Sequence, residues 1–366
     1  MFRIRLAILA CILASAFLPT EATQAATYYV ATTGNNSNSG TTSKPWRTVA
    51  YAVSRMIAGD ITYVRGGTYN EGLIQFRRSG TQSAPIKLLN HPGEFPIIDC
   101  NNVSTNMVLV QHANGHRVPM GYITFEGFEV RKCYNGFKYY NMHNSVIRLN
   151  WFHHNRTQGI LGNGGTKNVI DRNRINTNGR VSTQDHGIYA NGSSITITNN
   201  VIYDNMCFGI QQNGAINYDS TKHPGQEFAL SQNWIIAHNT IAYQRNCSAM
   251  VVWGGNADNA RIENNIFYEN RVNGTSGQSN GIHFTGASGS TEIVIRNNHA
   301  YASGSGGLTF LGTAAVEGVN YTQSGNIVNT LKPKFVNAPA TLPASPNFAL
   351  TSGSTLAAPT SLRPVN

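Results

Sequence analysis

The chain has 366 residues, 36 of them glycine, with 12% charged residues and a formal charge of +10. Low charge density with abundant glycine suits a turn-rich β protein, and no basic run reaches five residues, so nucleic acid is not expected as a partner. A basic excess with few acids fits an anionic partner; an acidic polysaccharide and an anionic cell surface both qualify, and the acidic polysaccharide is favoured.

Met1 to Arg5 is basic, Leu6 to Leu18 is apolar and Thr23-Gln24-Ala25 offers a small-residue cleavage site. Residues 1–25 are expected to be a secretory signal peptide. The rest, 26–366, is expected to form one domain, secreted or periplasmic, not inserted in a membrane and monomeric. Thr27-Tyr28-Tyr29-Val30 reads as a strand, and Pro45 to Val53 is helical in pattern. That helix would plug the open end of a repeating structure. Ile61 to Tyr69, Pro85 to Leu88 and Pro96 to Asp99 read as further strands.

From His143 to Tyr301 one phrase recurs: apolar-x-apolar-x-x-Asn-x-apolar, a second Asn five residues later, then Gly-Ile or an equivalent. The copies start at Asn150, Asn173, Asn200, Asn239, Asn265 and Asn298, at intervals of 23 to 39 residues. Each copy holds three short strands; in Val169 to Asn191 they centre on Ile170, Ile175 and Ile188. None can bury its apolar face alone, so the copies must stack. Stacking makes one core row of Ile170, Ile197, Ile236, Ile262 and Ile295, and another of Phe152, Ile175, Ile202, Ile241 and Phe267. The Asn is expected at a tight bend, in left-handed conformation or bonded to the amides above and below.

This pattern resembles the right-handed parallel β-helix of the pectate-lyase-like superfamily. The stretch YYVATTGNNSNSG…PWRTV…GDITYVRGGTYNE…HPGEFPIIDC, from Tyr28 to Cys100, looks like the N-terminal coils of secreted β-helix polysaccharide lyases. Pro333 to Ser354 is similar to their closing segment. The expected fold is therefore an all-β, single-domain parallel β-helix with an N-terminal capping helix.

Cys207 and Cys247 each lie three residues before their coil's Gly-Ile-type position. They should stack on adjacent coils, about 4.8 Å apart, within disulfide range. Cys207–Cys247 and Cys100–Cys133 are the expected pairs.

Phe137, Ile160, Ile188, Ile210, Met250, Ile282 and Leu308 should point inward on the third strands. Alternation then turns Lys138, Leu161, Tyr189, Gln211, Val251, His283 and Thr309 outward. Two residues on, Tyr140, Asn163, Asn191, Asn213, Trp253 and Thr285 face the same way. Swollen loops at 178–186, 215–228 and 273–280 flank this strip, the second holding Lys222 and His223. In the resembled lyases this sheet and its loops form the substrate cleft.

A uronate lyase needs a cation on the sugar carboxylate, a base for the C5 proton and an acid for the leaving O4. Arg180, Arg156 and Lys138 are the candidate cations. His186 and Tyr189 are candidate base and acid, with Asp185 placed to orient His186 if the loop bends. Lys138 is the alternative base, as in the resembled families that use a lysine. Gln211, Asn191, Asn213, Trp253, His283 and Tyr140 are the expected substrate contacts. No metal ligands are assigned. Many β-helix lyases hold calcium with clustered aspartates; here the aspartates are scattered, and calcium stays open as a cofactor. The acidic trio of β-helix hydrolases and the Asp-Pro-His-Asp signature of alginate epimerases are absent. The reading is a secreted lyase that cuts alginate, pectate or a glycosaminoglycan by β-elimination. A non-catalytic glycan-binding β-helix, a C5-epimerase and a glycoside hydrolase are the alternatives.

Overall fold

A computed structural model describes residues 25–180, 184–214, 231–255, 257–270, 281–285, 289–302, 310–312 and 315–351. The signal segment up to residue 24 lies outside the described residues, as do Leu308, Thr309 and most of the three swollen loops, Lys222 and His223 included. No helix among the described residues is long and apolar enough to cross a membrane.

Three parallel sheets of 11, 10 and 8 stacked strands run the length of the chain. The third sheet also takes the short side strand Met120–Gly121. Each coil gives one strand to each sheet, as in Val169–Asp171, Arg174–Asn176 and Ile188–Ala190. The fold is a right-handed parallel β-helix, with the core enclosed between the sheets. Ile147, Ile170, Ile197, Ile236, Ile262 and Ile295 stand in one register column, as expected. Phe152, Ile175, Ile202, Ile241 and Phe267 form the second. Gly162 faces inward because the Tyr139 ring of the preceding coil fills its side-chain space; a Cβ there would lie 2.2 Å from that ring.

Asn150, Asn173, Asn200, Asn239, Asn265, Asn298 and Asn326 form a buried ladder, each Nδ2 donating to the next Oδ1. A second ladder runs through Asn155, Asn178 and Asn205. Gln244 continues it, accepting from the Asn205 amide and reaching Asn270 through its own N–H. The left-handed conformation belongs elsewhere: it falls on the preceding residue, Leu149, Arg172, Asn199, His238, Asn264 or Asn297, with φ between 52° and 58°. The ladder asparagines recur because a short amide reaches along the stack, and not because they bear the bend.

The helix spans Val49–Arg55, four residues later than the pattern suggested. Trp46 is instead bridged to Val30 and stacked on Tyr28 at 4.5 Å. Thr48 caps the helix, and Glu71 of the first coil accepts from the Val49 and Ala50 amides at 2.7 and 3.2 Å. Both expected disulfides form, with Cα separations of 4.7 Å for Cys100–Cys133 and 4.6 Å for Cys207–Cys247.

The tail strands Phe335–Asn337 and Asn347–Leu350 pair with each other and lie against the second sheet. Phe348 packs on Tyr203 and Tyr243, and Phe335 on Tyr268. The tail therefore shields a flank of the rod. The first sheet carries a ladder of ion pairs, with Arg148–Glu126 at 2.8 Å and Arg296–Glu263 at 2.5 Å.

Candidate active site

The third sheet aligns the strip in a single row. Lys138, Leu161, Tyr189, Gln211, Val251 and His283 are consecutive register partners. Leu109 and Gln75 extend it toward the N-terminus. Tyr140 pairs with Asn163, Asn213 with Trp253, and Trp253 with Thr285, in the parallel row. None of the eight stacked strands contains Asp or Glu, whereas carboxylates on the other two sheets are spent in ion pairs. Alternation of apolar and polar residues is enough to produce this face, because the inward half of each strand is fixed by core burial.

Lys138 extends its ammonium over the Tyr140 ring, 4.9 Å from the centroid. His116, from the loop after Val108–Val110, tilts against the other part of Tyr140 at 5.6 Å. Nothing in the sequence pattern marks His116, which arrives from an irregular segment. Arg156 directly follows the ladder residue Asn155, and Arg180 stands two residues after Asn178 on the next turn into the third sheet; the Arg180 amide donates to the Arg156 carbonyl at 3.0 Å. Both side chains are exposed. Among the described residues, neither arginine nor Lys138 is paired with a carboxylate.

Tyr189 is half-buried, and burial raises its phenol above the ordinary value. Behind it lies His186, its ring parallel to that of Tyr189 at 5.8 Å. This corrects the expectation that His186 takes a proton from substrate. The ring is 1% exposed, walled in by Phe208 at 5.4 Å. Its Nδ1 accepts from the Phe208 amide, and neither ring nitrogen bonds to Asp185. Burial drives its pKa down to about 3, against the opposing pull of Gln211. His186 is a neutral support for Tyr189.

Two expected substrate contacts are engaged within the protein. Asn191 accepts from the Gly164 amide, which ties neighbouring strands together, and Gln211 is only 4% exposed. Asn213, Trp253 and His283 remain partly open. Burial lowers the pKa of His283, so it stays neutral more readily than a free imidazole. Among the described residues no three His, Cys, Asp or Glu side chains gather into a metal cage. Calcium of the clustered-aspartate kind finds no such ligands there.

Fold and strip together define a right-handed parallel β-helix whose third sheet carries, among the described residues, a strip of strands without Asp or Glu. The chain belongs to the Pel9A-like right-handed beta helix family, whose model matches residues 28–311. It is 30% identical to pectate lyase L of Dickeya dadantii (strain 3937) over 152 residues, which is 39% of this chain and 35% of that protein. It is 42% identical to pectate lyase PEL9 of Emericella nidulans over 76 residues, 20% of this chain and 18% of that one. The chain thus spans about a third or less of the curated relatives it matches. The crystal structure of pectate lyase Pel9A superposes with TM-score 0.55 at 17% identity, covering 90% of both chains. A rhamnogalacturonan lyase gives 0.59 at 16%, covering 90% of this chain and 97% of its own. At these identities the structural likeness is one of fold.

Proposed function

We propose that the protein is a polysaccharide lyase that cleaves a uronate-containing polymer by β-elimination along the third sheet. The supporting observation is the acid-free row with Lys138 and Tyr189 in one register, flanked by Arg156 and Arg180. The pectate lyase relatives and the family membership support the same reaction class. The two disulfides suit the oxidising compartment in which such polymers are met.

The Arg156 and Arg180 guanidinium groups neutralise the uronate carboxylate, so that negative charge forming at C5 is stabilised. The Lys138 amine takes the C5 proton. The C–H electrons become the C4–C5 double bond, and the C4–O4 bond breaks. Tyr189, kept protonated by burial, gives its proton to O4. Two strand spacings, about 10 Å, separate the two backbones. The long lysine stem therefore swings from Tyr140 toward Tyr189 when substrate lies between them.

The test is incubation with polygalacturonate, rhamnogalacturonan, alginate and glycosaminoglycans, with and without calcium, followed by ultraviolet absorbance of the new double bond. Absorbance should rise on at least one polymer, and Tyr189→Phe should lower the rate about 10²–10⁴-fold. Absence of any rise overturns the reading. Reducing ends without absorbance would indicate hydrolysis, and retained binding without cleavage a glycan-binding protein.

A further inference from the structure

The strip has two unlike ends. Toward the N-terminus, three successive coils each bring one basic side chain: Lys138, the proton acceptor, on its strand, then the Arg156 and Arg180 cations on the following turns. Past Tyr189 the described strands of this sheet carry no Lys, Arg, Asp or Glu, and an apolar cluster lies beneath them. Val251 is fully buried beneath an outer cluster that it forms with Phe208, Cys207 and Cys247, and Trp253 packs against that cluster. Phe208 lies between the rings of His186 and His283, at 5.4 and 6.4 Å. The Cys207–Cys247 bridge fixes the backbone beside it across adjacent coils. Trp253 stays half-exposed on this rigid base, next to Asn213 and Thr285.

Such a surface selects by desolvation. An indole face gains from the C–H face of a sugar or from a methyl ester. A carboxylate pressed against the same face loses water, and the described residues of these strands offer it no compensating charge. Strands stand about 4.8 Å apart, so a glycan lying along the stack meets the two ends in succession. We propose that the strip binds a polymer of mixed charge: free uronates over Lys138, Arg156 and Arg180, and uncharged units, esterified uronates or neutral sugars, over Trp253, which the buried Phe208 cluster supports from beneath. Cleavage then falls at Tyr189, where the charged stretch meets the uncharged one. This rests on the lyase reading above and specifies its substrate.

The experiment compares de-esterified with half methyl-esterified polygalacturonate, and alginate with its propylene glycol ester. Double-bond formation gives kcat/KM for each, and affinity electrophoresis in gels containing each polymer gives binding without requiring cleavage. The partly esterified form should be preferred about tenfold. Trp253→Leu, which keeps apolar packing but loses the flat face, should collapse that ratio toward one; Trp253→Tyr should retain it. A folded Trp253→Leu protein, checked by circular dichroism, with an unchanged ratio overturns the proposal, as does preference of the wild type for the de-esterified polymer. Both outcomes leave the lyase reading standing. If no polymer yields a double bond, that reading falls, and electrophoresis decides the groove's preference: equal retardation by both forms overturns it, and stronger retardation by the esterified form, lost in Trp253→Leu, supports it.

Discussion

His186 shows how far a single residue can depart from its sequence context. In Asp185-His186-Gly187-Ile188-Tyr189 it reads as a groove residue beside Tyr189. Its burial comes from Phe208, one coil on, whose ring and amide close over it. No periodicity records that contact, because Phe208 lies in a turn. Lys138, Tyr189 and His283, by contrast, were legible: they sit on strands, where alternation decides direction. The buried imidazole has a consequence in acid. Its folded pKa, about 3, lies below the value of about 6.5 expected when unfolded. The unfolded chain therefore takes up the proton first. Stability from this residue is complete above about pH 6.5 and drains away toward pH 3, by about 1.4 kcal/mol per pH unit within that window. His186→Phe keeps a ring against Tyr189 and Phe208 and removes the titration. Thermal unfolding at pH 7 and pH 5 should show the variant gaining on the wild type as pH falls.

At the scale of the coil, the asparagines divide into two kinds that look alike in sequence. Asn200 is fully buried, donates to Asn239 at 2.9 Å and accepts from Asn173 at 3.0 Å. Asn264 carries the bend at φ 57° and lies partly in solvent. The repeat announced that asparagine mattered, and the core columns followed from the same spacing. Which asparagine did which task was hidden, because both sit within two residues of the same corner. Gln244 was missed for a related reason: a longer amide fills an Asn site by reaching the same partners. Asn200→Ala strands the amide groups of Asn173 and the Ile170 carbonyl, and should cost about 3 kcal/mol in equilibrium denaturation. Asn264→Ala loses only ease in the left-handed region, about 1 kcal/mol. Equal losses would mean that ladder and bend contribute alike.

For the molecule as a whole, the sheets differ in what covers them. The second sheet meets the tail, with Tyr268 donating to the Ala338 carbonyl at 2.8 Å and Tyr243 to that of Pro339. The third sheet keeps its strip partly open. A chain ending before Pro333 should expose Tyr203, Ile266 and Tyr268, lose about 3 kcal/mol and bind more hydrophobic dye. Its turnover per folded molecule should match the full chain, since the tail packs on a different sheet from the groove. A proportional loss of turnover would show that the two faces are coupled. The similarity of Pro333 to Ser354 to a closing segment gave the existence of this element. Its docking on the flank depends on tyrosines that reach the outside of the second sheet, a direction visible only once the coils are in register.

The Cys207–Cys247 bridge, 40 residues apart in sequence, overlaps most of the longest interval between ladder residues, the 39 positions from Asn200 to Asn239. Entropy resists closing a long excursion of chain only slightly more than a short one, and a covalent tie between the two windings that flank it removes part of that resistance. This winding is thus the natural berth for added sequence: a graft between the two cysteines would leave the windings on either side seated, whereas the same graft in the 23-residue interval from Asn150 to Asn173 would have no such clasp to hold it.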